Sequence, residues 1–169
     1  MKKIADVITD PIIFLEDIFA LIEESNLDVS DCLLDHLCYR VATVEEYEEK
    51  KLELAELGEL LIESMVNGRL IATYKLYSPI LFRERKIDVL ELPSPKPGKK
   101  YSSGLEHIEF VTSKELFEIV NLNPHLYFET EGINKKNNAD ITLRLGNYCI
   151  RFHRQTLEEV IIEEKTCQI

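Results

Sequence analysis

Two histidines, His36 and His107, stand in short runs with one grammar. Asp35-His36-Leu37-Cys38-Tyr39 and Glu106-His107-Ile108-Glu109-Phe110 both read acid, histidine, aliphatic, variable, aromatic. Neutral imidazole is the commonest side-chain metal ligand, and a carboxylate beside a pair of them completes a 2-His-1-carboxylate set for a divalent transition metal. Glu91 in "IDVLELP" is the carboxylate that strand alternation brings into consideration. It lies on the Ile87–Val89 face of its run, away from Leu90 and Leu92. Glu109 shares a face with His107 and is the candidate general base; the other reading of it is a salt bridge with Arg40.

The elements that must position these groups repeat. "LDHLCYRVAT" alternates as a strand, and Thr43-x-x-Glu46 after it reads as a capping box that opens a helix with an apolar face of Val44, Tyr47, Leu54 and Leu57, ended by Gly58. Asn67-Gly68 marks a hairpin, "RERK" a turn, and "IDVLELP" a fourth strand. "SPKPGKKYSSG" is the linker. The pattern then restarts with "LEHIEFV", Thr112-x-x-Glu115 before a second helix, the strands "YFETEG", "DITLRLG" and "NYCIRFHR", and a closing helix "TLEEVIIEEK".

Each half is therefore βαβββ, and the predicted class is α+β. Two such units form a paired-sheet open barrel around a cleft, with an added N-terminal helix. The expected division is a helical extension at 1–34, a first unit at 35–93, a linker at 94–104 and a second unit at 105–169, all in one structural domain. The extension rests on "PIIFLEDIFALIEE", with Asp10 as its cap and Ile12, Leu15, Phe19 and Ile22 as its apolar stripe.

Alternation then sorts side chains by face. His36, Cys38 and Arg40 share one face of the first strand, and His107, Glu109 and Val111 share one of the fifth. In "YCIRFHR" the apolar set Tyr148, Ile150 and Phe152 leaves Cys149, Arg151 and His153 on the other side. Buried ionisable groups need partners or a metal, so the polar faces are expected to line the cleft. Arg40 and Cys38 are expected to meet substrate there. Asp35 and Glu106 point the other way from their histidines and are expected as solvated caps of the strand starts.

Composition narrows the classes. The 169 residues are 45% hydrophobic and 30% charged, with a formal net charge of −11. A surface so acidic repels nucleic acid and anionic membrane, which leaves a small molecule as the expected partner. Four cysteines without CxxC spacing read as free thiols in a reducing cytoplasm, and neither a signal segment nor a membrane-length apolar run is visible. The chain is expected as a monomer or homodimer.

The motifs "DHLCYRV", "NGRLI", "IDVLELPSPKPGKKYSSGLEHIEFV" and "CIRFHRQTLEEVI" resemble the YecM-like family of the vicinal oxygen chelate superfamily, over nearly the whole chain from Asp35. The resemblance implies metal ligands on the first and fourth strands of each unit: His36, Glu91 and His107. The last strand would ordinarily add a carboxylate. Here it offers Arg151 or His153, so either three ligands and water hold the ion, or His153 is the fourth, or Arg151 fixes an anion instead. The implied cofactor is a divalent transition metal (Zn, Fe, Mn or Ni). The implied function is a metal-dependent isomerase or oxidoreductase acting on a small oxygenated substrate. The alternatives are a non-catalytic small-ligand or anion-binding protein using the same cleft, and an interaction protein with structural histidines.

Overall fold

The computed structural model describes residues 2–167; the ends of the expected division at residues 1, 168 and 169 lie outside them. The element order is a 3-10 turn (Ile4–Asp6), α1 (Pro11–Glu24), β1 (Leu33–Arg40), α2 (Val44–Ala55), β2 (Gly58–Val66), β3 (Arg69–Phe82), β4 (Arg85–Pro93), β5 (Gly104–Val111), α3 (Leu116–Leu122), β6 (Phe128–Glu129), β7 (Asp140–Leu145), β8 (Tyr148–His153) and α4 (Leu157–Cys167). The α+β class and the doubled βαβββ order are those read from the sequence. The chain divides into two compact units, one of Met1–Phe14 with His36–Glu106, the other of Leu15–Asp35 with His107–Ile169. Among the described residues, no helix is long and apolar enough to cross a membrane.

In the first unit the strand order is β2-β3-β4-β1. The β2–β3 turn is Asn67-Gly68 with φ of 50° and 81°, the left-handed pair a two-residue hairpin requires. Gly58 does not end α2. The helix closes at Glu56, and Gly58 opens β2, where a Cβ would come within 2.6 Å of the Lys75 carbonyl oxygen. Thr43 caps α2 as expected, its hydroxyl accepting from the Glu46 amide at 3.1 Å. The Glu46 carboxylate accepts from the amide of Ala42 and the hydroxyl of Ser103. Val44 is exposed, so the buried face of α2 is Tyr47 and Leu54.

Under α2 lies a polar knot. Tyr47 Oη donates to Glu63 Oε1 at 2.6 Å, and Lys51 Nζ reaches the same oxygen at 2.7 Å. The Lys51 and Tyr47 hydrogen bonds hold the Glu63 carboxyl below its usual pKa, while burial and then Glu63 push the Tyr47 phenol up. Tyr74 reaches the Lys51 carbonyl from β3. Its face, with register partner Leu90, is therefore the helix side.

In the second unit the order is β5-β8-β7-β6. Its apolar face carries Phe110, Phe152 and Phe128, with Phe110 and Phe152 stacked at 5.5 Å. Phe19 of α1 meets Phe110 edge-on at 6.2 Å. The buried side of α1 is Phe14, Leu15, Ile18, Phe19 and Ile22; Ile12, expected in that stripe, is exposed. Asp10 does cap α1, accepting from the Ile12 amide. The second expected capping box does not form. Thr112 is buried and accepts from the Lys114 amide, and α3 begins only at Leu116 with Glu115 as its uncapped N-cap. The box appears instead at α4, where Thr156 and Glu159 exchange hydrogen bonds with each other's amides. Asp35, expected as a solvated cap of its strand, accepts from the Leu157 amide at 2.9 Å and so supports the same helix start.

Two stability predictions follow from these contacts. Glu63 has a depressed pKa, so its contribution is present above the unfolded value of about 4.3 and is lost as pH falls through the folded one. Thermal melts should show E63Q destabilised by about 1 kcal/mol at pH 7, with the difference shrinking below about pH 4. T156A should lose about 1 kcal/mol in urea unfolding, whereas E115A should lose no more than about 0.5 kcal/mol. Equal losses would contradict the assignment of the box to α4.

Candidate functional site

The site residues follow from register. In the first unit β1 and β4 run parallel with His36 opposite Val89 and Cys38 opposite Glu91, and β3 places Thr73 opposite Glu91. Side chains paired in register share a face, so His36, Cys38, Thr73 and Glu91 occupy the side away from α2. His36 is 3% exposed and Thr73 2%, a degree of burial rare for polar groups unless they are engaged. Nε2 of His36 lies 3.6 Å from Oε2 of Glu91, beyond hydrogen-bond reach. Two ligand atoms around a tetrahedral ion, each about 2.1 Å from it, stand about 3.4 Å apart, so this spacing suits a pair of metal ligands. Arg40 Nη1 donates to Glu106 Oε1 at 3.0 Å, and its guanidinium lies 4.6 Å over the Tyr101 ring. Glu106 is therefore an ion-pair partner rather than a solvated strand cap.

In the second unit β5 and β8 are parallel with His107 opposite Cys149, Glu109 opposite Arg151 and Val111 opposite His153. The neighbouring β7 adds Asp140 opposite His153 and Thr142 opposite Arg151. All of these share one face, and Ile108, Phe110, Ile150 and Phe152 take the other, as alternation required. Glu109 is the centre of the polar face. Its Oε1 lies 3.0 Å from Nε2 of His107 and 3.4 Å from Nη1 of Arg151, and its Oε2 is in close contact with Nε2 of His153. Glu109, His107 and His153 are all buried, while the Arg151 side chain is 43% exposed.

The His153 ring is oriented at its other nitrogen. Nδ1 lies 3.2 Å from the carbonyl oxygen of Ala139. A carbonyl only accepts, so Nδ1 carries the hydrogen of that bond. Nε2 of the neutral ring then presents a lone pair to a carboxylate, and one proton or a cation completes the contact. The arrangement can hold a proton between Glu109 and His153, or hold a cation beside a buried carboxylate.

Within the first unit the fold brings His36, Cys38 and Glu91 onto one face, and within the second it brings together His107, Glu109, Arg151 and His153. Lys75 shares the Glu91 face by register and pairs with Asp88, while Tyr77 is exposed. Cys38 and Cys149 are buried free thiols. Sequence reading missed Thr73, Asp140 and Thr142. The parity of "DITLRL" against "YCIRFH" carried the signal for the last two. Nothing short of the fold could have named the Ala139 carbonyl.

Known proteins give this geometry a context. Residues 3–142 match the YecM protein family. Protein YecM of Escherichia coli (strain K12) is 25% identical over 185 residues, covering 98% of this chain and 96% of that protein. An uncharacterized protein of Haemophilus influenzae is 36% identical over 102 residues, 60% of this chain and 53% of its own length. A solved structural-genomics protein superposes with a TM-score of 0.77 at 25% identity, over 89% of this chain and 87% of that one. Streptomyces coelicolor methylmalonyl-CoA epimerase, solved with 2-nitronate-propionyl-CoA, shares the fold with a TM-score of 0.53 at 12% identity, over 73% of this chain and 97% of the epimerase. The family match spans most of the sequence, and the chain belongs to the YecM family.

Proposed function

We propose that this protein is a metal-dependent enzyme of the vicinal oxygen chelate type, an isomerase or oxidoreductase that acts in the cytoplasm on a small oxygenated substrate. The proposed cofactor is a divalent transition metal, with His36 and Glu91 as ligands in the first unit and His107 in the second. Such an ion, when bound, supplies Lewis acidity toward adjacent substrate oxygens and offsets the negative charge that develops on them.

One observation carries this reading. In each unit a buried histidine at the same place in the first strand faces a carboxylate, His36 with Glu91 at 3.6 Å and His107 with Glu109 at 3.0 Å. Nonpolar residues would satisfy either position at lower cost, so a doubled histidine–carboxylate pair is explained by what it binds. The fold shared with methylmalonyl-CoA epimerase, solved with a CoA-linked ligand, supports a small-molecule substrate.

The chain's own residues have separate tasks. Glu109 is the proposed base, accepting a proton at a carboxylate oxygen, and His153 exchanges that proton at Nε2 across their contact. Arg151, half exposed beside Glu109, pairs with negative charge on the substrate. Burial of His107, Glu109 and His153 keeps bulk water from their contacts.

A second reading has its own support: Arg151 stands in the last strand, where a ligand carboxylate was expected, and suits an anion-binding protein without chemistry. Elemental analysis of untagged protein decides between the two. Near-stoichiometric transition metal, lost in H36A and in H107A with unchanged circular dichroism, is the expected result. Protein that carries no metal and takes up none on titration sinks the enzyme reading. In that case, phosphate at a hundredfold excess over its Kd should stabilise the wild type by about 2.7 kcal/mol, and R151A should abolish the effect.

A further inference from the structure

Residues 130–139 form the connection between β6 and β7 and end against the polar face of the second unit. Its turns close on themselves: the amides of Lys135 and Asp140 both donate to the Gly132 carbonyl, at 3.1 and 3.2 Å, and the Ile133 amide donates to Thr130. The Asp140 carboxylate is buried and takes a hydrogen bond of 2.5 Å from Lys135 Nζ. Gly132 lies directly against that carboxylate. A Cβ on it would run into Oδ1 and come within 2.7 Å of Cγ and 2.8 Å of the Asp140 carbonyl oxygen. The φ of Gly132 is not in the left-handed region. The position therefore demands glycine for space and not for backbone conformation.

This clasp ends one residue from the group that orients the site. The Ala139 carbonyl accepts from Nδ1 of His153 at 3.2 Å, and Asp140 is the register partner of His153 on the neighbouring strand. Any rotation of the 139–140 peptide moves the acceptor off Nδ1. The ring would then be free to place its hydrogen on Nε2, the nitrogen in contact with Glu109.

We propose that the Gly132–Asp140–Lys135 clasp is the positioning device of the second-unit site: it holds the Ala139 carbonyl against Nδ1 of His153 and so fixes both the tautomer of that ring and the direction in which Nε2 is presented to Glu109. Gly132, Asp140 and Lys135 are accordingly positioning residues. The inference rests on the reading that Glu109 and His153 work as a pair. It differs from a simple structural role because it specifies which nitrogen of a residue on another strand carries the hydrogen. The Lys135 side chain is 58% exposed and contributes through its charged hydrogen bond to Asp140.

The test reads the ring nitrogens directly. Uniformly 15N-labelled full-length protein, freed of metal by chelation, is examined by long-range 1H–15N correlation of the histidine rings. Wild type should give a hydrogen-bearing Nδ1 shift for His153, whether the shared proton sits on Nε2 or on Glu109. D140N and K135M should move the Nδ1 shift toward the range of a nitrogen without a hydrogen, and G132A should do so most strongly. K136A, an exposed lysine in the same loop, should leave it in place. If G132A does not fold, K135M still decides the matter, since it removes an exposed contact. A K135M or D140N protein with a native amide spectrum and wild-type His153 nitrogen shifts overturns the proposal. Because the readout uses metal-free protein, that failure is distinct from a failure of the metal-binding reading, which the elemental analysis of wild type reports separately.

Discussion

A carboxylate taken out of water must be given charge or hydrogen bonds in return, and the second unit is built around that requirement at Glu109. Two imidazole nitrogens, one from its own strand and one from β8, meet its two oxygens, and a guanidinium stands alongside. These partners have to be on neighbouring strands in a fixed register, which demands a parallel β5–β8 pair and hence the whole crossover through α3, β6 and β7 between them. The apolar face follows by alternation. Once Glu109, Arg151 and His153 are committed to one side, Phe110 and Phe152 are committed to the other, where they stack.

The two units answer the same problem differently. In the first, the histidine and the carboxylate come from two strands, and their atoms stop short of a hydrogen bond. In the second, both come from β5, two residues apart, and close to bonding distance. The first pair stands 3.6 Å apart, a spacing that suits two ligands of one ion. The second is already satisfied, and it brings in an extra histidine and an arginine. Each βαβββ unit thus has one buried histidine at the same place in its first strand, at a longer distance from its carboxylate in the first unit than in the second.

Much of this could be read before any coordinates. Period-two alternation located His36, Cys38 and Arg40 together, and likewise His107 with Glu109, because side-chain direction in a strand is fixed by parity. The hairpin at Asn67-Gly68 was legible for a similar local reason. What failed were the readings that depend on neighbours distant in sequence. Thr112-x-x-Glu115 has the letters of a capping box, but Thr112 is buried beside β8, its amide donating to the His153 carbonyl, and cannot start a helix there. Gly58 resembles a helix stop, yet it is dictated by a carbonyl seventeen positions further on (75 − 58). Ile12 and Val44 fit a helical stripe, but each sits in a first turn that the core does not cover. Asp35 gave no sign that its partner was the start of α4.

The share of α1 in the second unit has a consequence for how the chain is made. This helix and the segment after it are translated well before their partners: Phe19 packs on Phe110, Ser25 accepts a hydrogen bond from His125 across 100 positions, and Asp35 binds the Leu157 amide across 122. Each of those partners lies more than 90 positions further along the chain. The helix must therefore wait with its apolar side uncovered while the first unit can already close on local contacts. At roughly 5–20 residues per second that wait lasts several seconds or more. The second unit can therefore close only after its later strands are made, although it contains residues translated before most of the first unit.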